Sequence, residues 1–335
     1  MPKYPKVNYI GNKEKIVEWI IEEMPVKKGI VVDLFAGGCS VSYALKVAGY
    51  SVIANDVLYA DYVIAKALIA SKKGKLSENV FKIKISDSAI ERVEKKIDFL
   101  TECLYYPEEV KELARLIAIA EQLQGEEKYI FLALLRRAMI RKLPYSRMNI
   151  PWKQIQLLRD EEYSYKKYKR RRAYHNKTFE DHMLENLTAY NQAVFSGAHC
   201  EAYNLDVIEM AEKLKKVDVV YMDPPYPSTM NNYDAFYGLY DRMFDKESEH
   251  MDFTDKAMFL ENLGRLIEKI KKKTRYIVLS QNTRVKPNPE EIKELLLKFG
   301  NVDVKEKKHN YQVTGKKNKN SNKELLFILE LSKAI

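Results

Sequence analysis

Along the 335 residues, apolar positions fall into short continuous runs and longer runs with helical spacing. Ile30-Val31-Val32-Asp33-Leu34-Phe35 is short, β-branched and apolar, and it ends in Ala36-Gly37-Gly38. A run of this length closed by glycine reads as a buried strand. A helix start follows over Ser40–Val47, with Ser40 or Ser42 available as its cap. Ser51–Ala54 is a second strand and closes on Asn55-Asp56. Strand, glycine turn, helix, strand and acid, in that order, open a nucleotide-binding α/β unit.

From Asp61 to about Ser196 the pattern changes. Lys, Glu, Leu and Ala dominate, with helical periodicity over Val110–Leu123 and Tyr129–Arg141. Strand patterning resumes at Ala198–Tyr203 and Asp218–Met222. An amphipathic helix over about Asp255–Lys272 precedes another strand, Tyr276–Ser280. Val302–His309 and Glu324–Leu331 read as antiparallel strands joined by a Gly- and Lys-rich turn over 314–322. The expected architecture is α/β, a doubly wound Rossmann-like sheet built from residues 1–60 and 197–335. A helical insertion over 61–196 interrupts it.

Charge sharpens this division. The net charge is +10, but the window Arg136–Lys177 holds 14 basic and 3 acidic residues, leaving about −1 for the rest. A single basic block is what a phosphate backbone selects, although a solvated helical face has the same composition. No stretch approaches the ~20 apolar residues of a membrane span. No apolar run of signal-peptide length follows Met1–Lys6. The expectation is a cytoplasmic protein without membrane contact, as a monomer or weak dimer. Three dispersed cysteines and five scattered histidines give neither a disulfide framework nor a metal-ligand pattern, so no metal is expected.

The densest chemical signal is Asp223-Pro224-Pro225-Tyr226, directly after the apolar run Val219–Met222. Two prolines cannot continue a central strand, so the chain turns out at its carboxyl end, where open α/β sheets bind ligands. The tetrapeptide offers a carboxylate, a prolyl carbonyl and an aromatic plane. An exocyclic amine is a weak nucleophile because its lone pair is delocalised into the ring. Asp223 and the Pro224 carbonyl can take its two hydrogens and direct the lone pair at a methyl donor. Tyr226 can stack on a base that has left its helix, a role that needs the ring and not the hydroxyl. The competing reading is a proline turn with an ordinary tyrosine.

These residues resemble the D12 class of DNA adenine-N6 methyltransferases, the Dam-like enzymes, and the likeness extends along the chain. Asn8-Tyr9-Ile10-Gly11-Asn12-Lys13 resembles the family's N-terminal aromatic-x-Gly-x-Lys element, which contacts the cofactor. Asp33-Leu34-Phe35-Ala36-Gly37-Gly38-Cys39-Ser40 resembles its cofactor loop, with Ala36 shifting the glycine register. Asp56, 23 residues beyond Asp33, matches the acid for the donor ribose. Cys200–Asp206 resembles the segment over the cofactor adenine, with Asp206 as a cofactor residue or a helix N-cap. Asn322-Lys323-Glu324-Leu325-Leu326 resembles the family's terminal strand.

The resemblance implies S-adenosylmethionine as cofactor and double-stranded DNA as substrate, with a cognate restriction endonuclease as a possible companion. Tyr9, Lys13, Asp33, Phe35, Ala36, Gly37, Gly38, Ser40, Asp56 and Asp206 would hold the cofactor. Asp223, Pro224, Pro225 and Tyr226 would carry the reaction, a direct transfer without covalent intermediate. Arg136, Arg141, Arg147, Lys153, Arg170, Arg171 and Arg172 would meet DNA, with interleaved aromatics such as Tyr145, Trp152 and Tyr168 to wedge or stack. The family's Asn-Gly pair is replaced here by Ala138-Met139-Ile140-Arg141, so no target sequence follows. The 227–251 loop, rich in tyrosine, reads as a lid or substrate clamp, and Lys316–Lys323 as a further backbone contact. Three alternatives stand beside this one: methylation of cytosine N4, an RNA or protein methyltransferase, and a DNA-binding protein that kept the fold without catalysis.

Overall fold

A computed structural model of the protein describes residues 2–227, 232–283, 286–308 and 323–332. Among these residues the strands are β1 (Ile30–Asp33), β2 (Ser51–Asn55), β3 (Cys200–Tyr203), β4 (Val219–Met222), β5 (Tyr276–Asn282), β6 (Gly300–Lys308) and β7 (Lys323–Leu331). They form one sheet in the order β3-β2-β1-β4-β5-β7-β6. β1 to β5 run parallel, while β7 is antiparallel to both β5 and β6. The sheet grows outward from β1 to β3 and then restarts at β4 on the other side of β1. The strand ends between β1 and β4 are therefore the switch point at which such sheets bind ligands.

Every residue of β4 is buried, as expected for a strand covered on both faces. Helices α1 (Val17–Glu22) and α2 (Ser40–Val47) lie early in this part of the chain. On one sheet face Val32, Val220, Met222, Ile277, Leu279, Leu325 and Phe327 share a core with apolar residues of three later helices. Strand alternation puts Asp33, Tyr221, Ser280, Leu326 and Glu324 on the opposite face. The Rossmann-like α/β class read from the sequence is the fold observed.

The chain forms two compact units, one of residues 12–57, 197–233 and 248–335, the other of 1–11, 58–196 and 234–247. The second is helical: α3 (Tyr59–Ala65), α4 (Asp87–Ile97), α5 (Pro107–Gln122), α6 (Gly125–Lys142), α7 (Trp152–Arg159), α8 (Glu161–Tyr168) and α9 (Phe179–Ala193). The sheet unit continues with α10 (Val207–Lys213); after α11 (Tyr233–Met243) come α12 (Phe259–Ile270) and α13 (Pro289–Leu297). Helix α6 is buried all round from Ile130 to Ile140, which makes it the central helix of its unit.

Beyond a shift of the boundary from 61 to 58, two segments group with the helical unit and not with the sheet as expected from sequence, 1–11 and 234–247. Arg136 on α6 accounts for the first, donating to the carbonyls of Val7 and Asn8 while Arg137 donates to Lys6. For the second, Asp241 of α11 accepts the backbone N–H groups of Tyr59 and Ala60 at 2.7 and 2.8 Å, and the Tyr240 hydroxyl donates to Leu132. Within the stretch read as a lid, Tyr233–Met243 is a packed helix, with Phe236, Tyr237 and Tyr240 buried. Residues 316–322 of the Lys-rich turn lie outside the described residues. No described helix is long and apolar enough to cross a membrane.

Candidate active site

The site is assembled at the carboxyl edge of the sheet. Asp223 leaves the end of β4 there, and the antiparallel return of β7 brings its second residue, Glu324, to the same edge. Lys13 lies between them, 3% exposed. Its ammonium is 3.0 and 2.9 Å from the two Asp223 oxygens, 2.9 Å from the Tyr226 hydroxyl and 3.1 Å from Glu324. The Tyr226 hydroxyl donates to Asp223 Oδ1 at 3.0 Å, and Ser280 of β5 donates to Glu324 at 2.7 Å. Two carboxylates thus face one ammonium. Burial pushes the Asp223 carboxyl above its usual range and the Glu324 charge adds to this, while Lys13 opposes it.

Beside this cluster the β1–α2 turn is shaped by two left-handed residues, Gly37 (φ +48°) and Cys39 (φ +61°). The first is where glycine is required, since a Cβ is strained in that region. The Gly37 N–H donates to Asp56 at 2.7 Å, so the acid after β2 braces the loop. Neither expected serine caps α2; its N-cap is Cys39, whose side chain makes no capping bond and instead reaches the Gly37 carbonyl at 3.6 Å. Ser40 instead accepts the Lys13 N–H at 3.2 Å, and Ser42 donates to Asp33 Oδ2 at 2.6 Å. Asp33 Oδ1 is buried and finds no hydrogen-bond partner among the described residues. Burial raises the Asp33 pKa to about 7, with the Ser42 bond opposing. An orphaned carboxyl oxygen beside a left-handed glycine turn fits a site for a polar ligand.

Other members of the expected cofactor set have partners of their own. Asp206 caps α10 through Ile208 N–H and accepts Met251 N–H, both at 2.8 Å. Phe35 meets Phe253 edge-on at 5.2 Å. Tyr9 belongs to the helical unit, stacked on Tyr237 at 5.2 Å. Ala36 donates its N–H to the Asn55 carbonyl. Glu324 was missed as a site residue; its signal was an acid at the head of the apolar run Leu325-Leu326-Phe327-Ile328-Leu329.

The model of the D12 class N6 adenine-specific DNA methyltransferases matches residues 9–313. The chain belongs to this family. It is an adenine-specific DNA methyltransferase, which implies a methyl donor and sets aside the cytosine-N4 and non-catalytic alternatives. It is 46% identical over 339 residues to the Type II methyltransferase M2.HphI of Haemophilus parahaemolyticus, covering 98% of each chain. It is 26% identical over 357 residues to the modification methylase StsI of Streptococcus sanguinis, covering 96% of this chain and 51% of that one.

The basic block of this methyltransferase is less exposed than its composition implies. Arg136, expected to meet phosphate, is fully buried: it lies 3.4 Å from Asp61 and over the rings of Tyr237 and Tyr9 at 4.5 and 5.7 Å. A guanidinium enclosed in that way is a core residue and cannot reach DNA, so that expectation is corrected. Arg137, Lys142 and Arg159 are buried too, Lys142 and Arg159 both on Glu109 at 2.6 Å. Lys153, Arg170 and Arg171 are exposed. Arg141 covers the Tyr174 ring at 3.7 Å, Arg147 that of Phe236 at 5.4 Å and Arg172 that of Tyr168 at 4.8 Å. Tyr145 is 49% exposed on a turn where it and Ser146 both have positive φ. Trp152 packs edge-on against Tyr106 at 5.0 Å.

Proposed function

We propose that this enzyme takes its methyl group from S-adenosylmethionine and delivers it to N6 of an adenine turned out of double-stranded DNA. We assign it to the modification half of a restriction–modification system, working in the cytoplasm. The observation that carries this reading is Asp223, a carboxylate at the end of β4 with two fixed partners, Lys13 and Tyr226. The orphaned Asp33 oxygen and the turn at Gly37 support a donor site alongside, to which Lys13, Phe35, Ala36, Gly38, Ser40 and Asp56 contribute. When bound, the donor supplies an electrophilic methyl on sulfur.

Asp223 and the Pro224 carbonyl accept the two amine hydrogens and orient the nitrogen lone pair. Pro225 stiffens the turn, and the Tyr226 ring stacks on the extruded base. The nitrogen becomes positively charged as the methyl arrives, so a carboxylate in a poorly solvated site stabilises the transition state more than the ground state. Asp223, with its raised pKa, is placed to take the proton that the methylated amine sheds. The exposed Lys153, Arg170 and Arg171, with Arg141, Arg147 and Arg172, are assigned to phosphates and bases of the duplex. The names of the two relatives, a Type II methyltransferase and a modification methylase, support the restriction–modification setting.

The test is to express the protein in a methylation-free host and sequence its DNA with detection of modified bases. N6-methyladenine in one recurring context is expected, and none with Asp223→Ala. Methyl groups on cytosine, or methylation persisting in the variant, would reject the reading.

A further inference from the structure

We propose that Glu324 is a positioning residue for methyl transfer, sharing the Lys13 ammonium with Asp223 so that Asp223 keeps acceptor capacity for the target amine. The inference rests on the reading of Asp223 given above. Glu324 is fully buried, and a buried charge is stable only when paired and hydrogen-bonded. Both conditions hold: Lys13 lies 3.1 Å away and the Ser280 hydroxyl donates at 2.7 Å. Its backbone is held in the sheet opposite Asn282 of β5.

An ammonium has three hydrogens to donate. The acceptors around Lys13 include Asp223, the Tyr226 hydroxyl and Glu324. Without the Glu324 charge, the ammonium, already within reach of both Asp223 oxygens, loses its competing partner and is held more tightly by them. Those are the oxygens the amine needs. Charge adds a second effect. Two carboxylates and one ammonium leave a net negative cluster where positive charge develops on the amine, and a neutral residue at 324 cancels it.

The groups facing Asp223 are Lys13, Tyr226 on its own turn, Glu324 on β7, Tyr221 on β4 and Asp33 on β1. Of these Glu324 pushes its pKa up, so removing the Glu324 charge lets Asp223 ionise at lower pH.

The experiment compares Glu324→Gln and Glu324→Asp in the full-length enzyme, measuring kcat, the KM for duplex DNA and the acid limb of the pH profile. Gln matches Glu in size, so the β7 packing is retained. With Gln, kcat should fall about tenfold or more with KM for DNA unchanged, on the scale of one charge-assisted hydrogen bond. The acid limb should move to lower pH. Asp keeps the charge, so it should hold the limb in place and recover part of kcat. Wild-type kcat and an unmoved limb in the Gln variant would overturn the proposal. So would a loss confined to thermal stability. Asp223→Ala serves as the control: turnover surviving there defeats the Asp223 reading itself, whereas a dead Asp223→Ala beside a normal Glu324→Gln defeats only the role of Glu324.

Discussion

At Tyr226 the hydroxyl is engaged as well as the ring, accepting from Lys13 and donating to Asp223. The sequence reading needed only the aromatic plane, and on that basis Tyr226→Phe would keep most activity. The observed bonds change the expectation. Losing one hydrogen bond to each of two charged groups should lower single-turnover methylation about tenfold, at ~1.4 kcal/mol per factor of ten. An unchanged rate would show that the ring alone matters. Asp33 gives a second prediction, of stability rather than rate. Its folded pKa of about 7 lies above the ordinary aspartate value of 3.8, so the folded state holds a proton that the unfolded chain has lost between those two values. Its contribution is fully present below pH 3.8 and is lost as pH rises through about 7. The ligand-free melting temperature should therefore decline over this window, and Asp33→Asn should flatten the decline. Parallel curves for variant and wild type would remove Asp33 as the cause.

Among the elements, α8 and the arginines after it carry the clearest nucleic-acid signature. Arg171 reaches Glu162 at 3.2 Å and the Tyr165 ring at 5.4 Å, but the pair is exposed and so weakly held. Replacing Arg170, Arg171 and Arg172 by Ala should weaken binding to all duplexes alike. Each lost phosphate contact should reduce the log–log salt slope by ~0.9. An unaltered slope would make this run a solvated face. Helix α13 was legible without being read: Asn288 accepts from Glu290 and Glu291 N–H, Glu291 returns a bond to Asn288 N–H, and Pro289 takes the first helical position. That is a complete capping box with proline at N1. Helix α11 was harder, because Tyr233, Tyr237 and Tyr240 suit a substrate clamp as well as a core.

Over the whole molecule, each unit has its own buried ionic centre, Lys13 with two carboxylates in one and Arg136 with Asp61 in the other. Arg136→Ala should destabilise the protein by about 3–5 kcal/mol, since it strands a buried partner charge. It should leave the salt slope of DNA binding alone in whatever fraction remains folded; denaturant unfolding and salt titration of one preparation check both parts. The sequence by itself determined the strand and helix types, the sheet class, and the placing of Asp223-Pro224-Pro225-Tyr226 at a strand end. These follow from local periodicity and from proline chemistry, which need no distant partner. Only the tertiary structure decided which basic residues face solvent. Arginine reads alike in sequence whether it meets phosphate or is enclosed by Tyr9, Tyr237 and Asp61. It also decided the membership of the site. Lys13, Asp223 and Glu324 meet because an antiparallel β7 returns to the edge where β4 ends, and strand order in a sheet is set by packing between residues hundreds of positions apart.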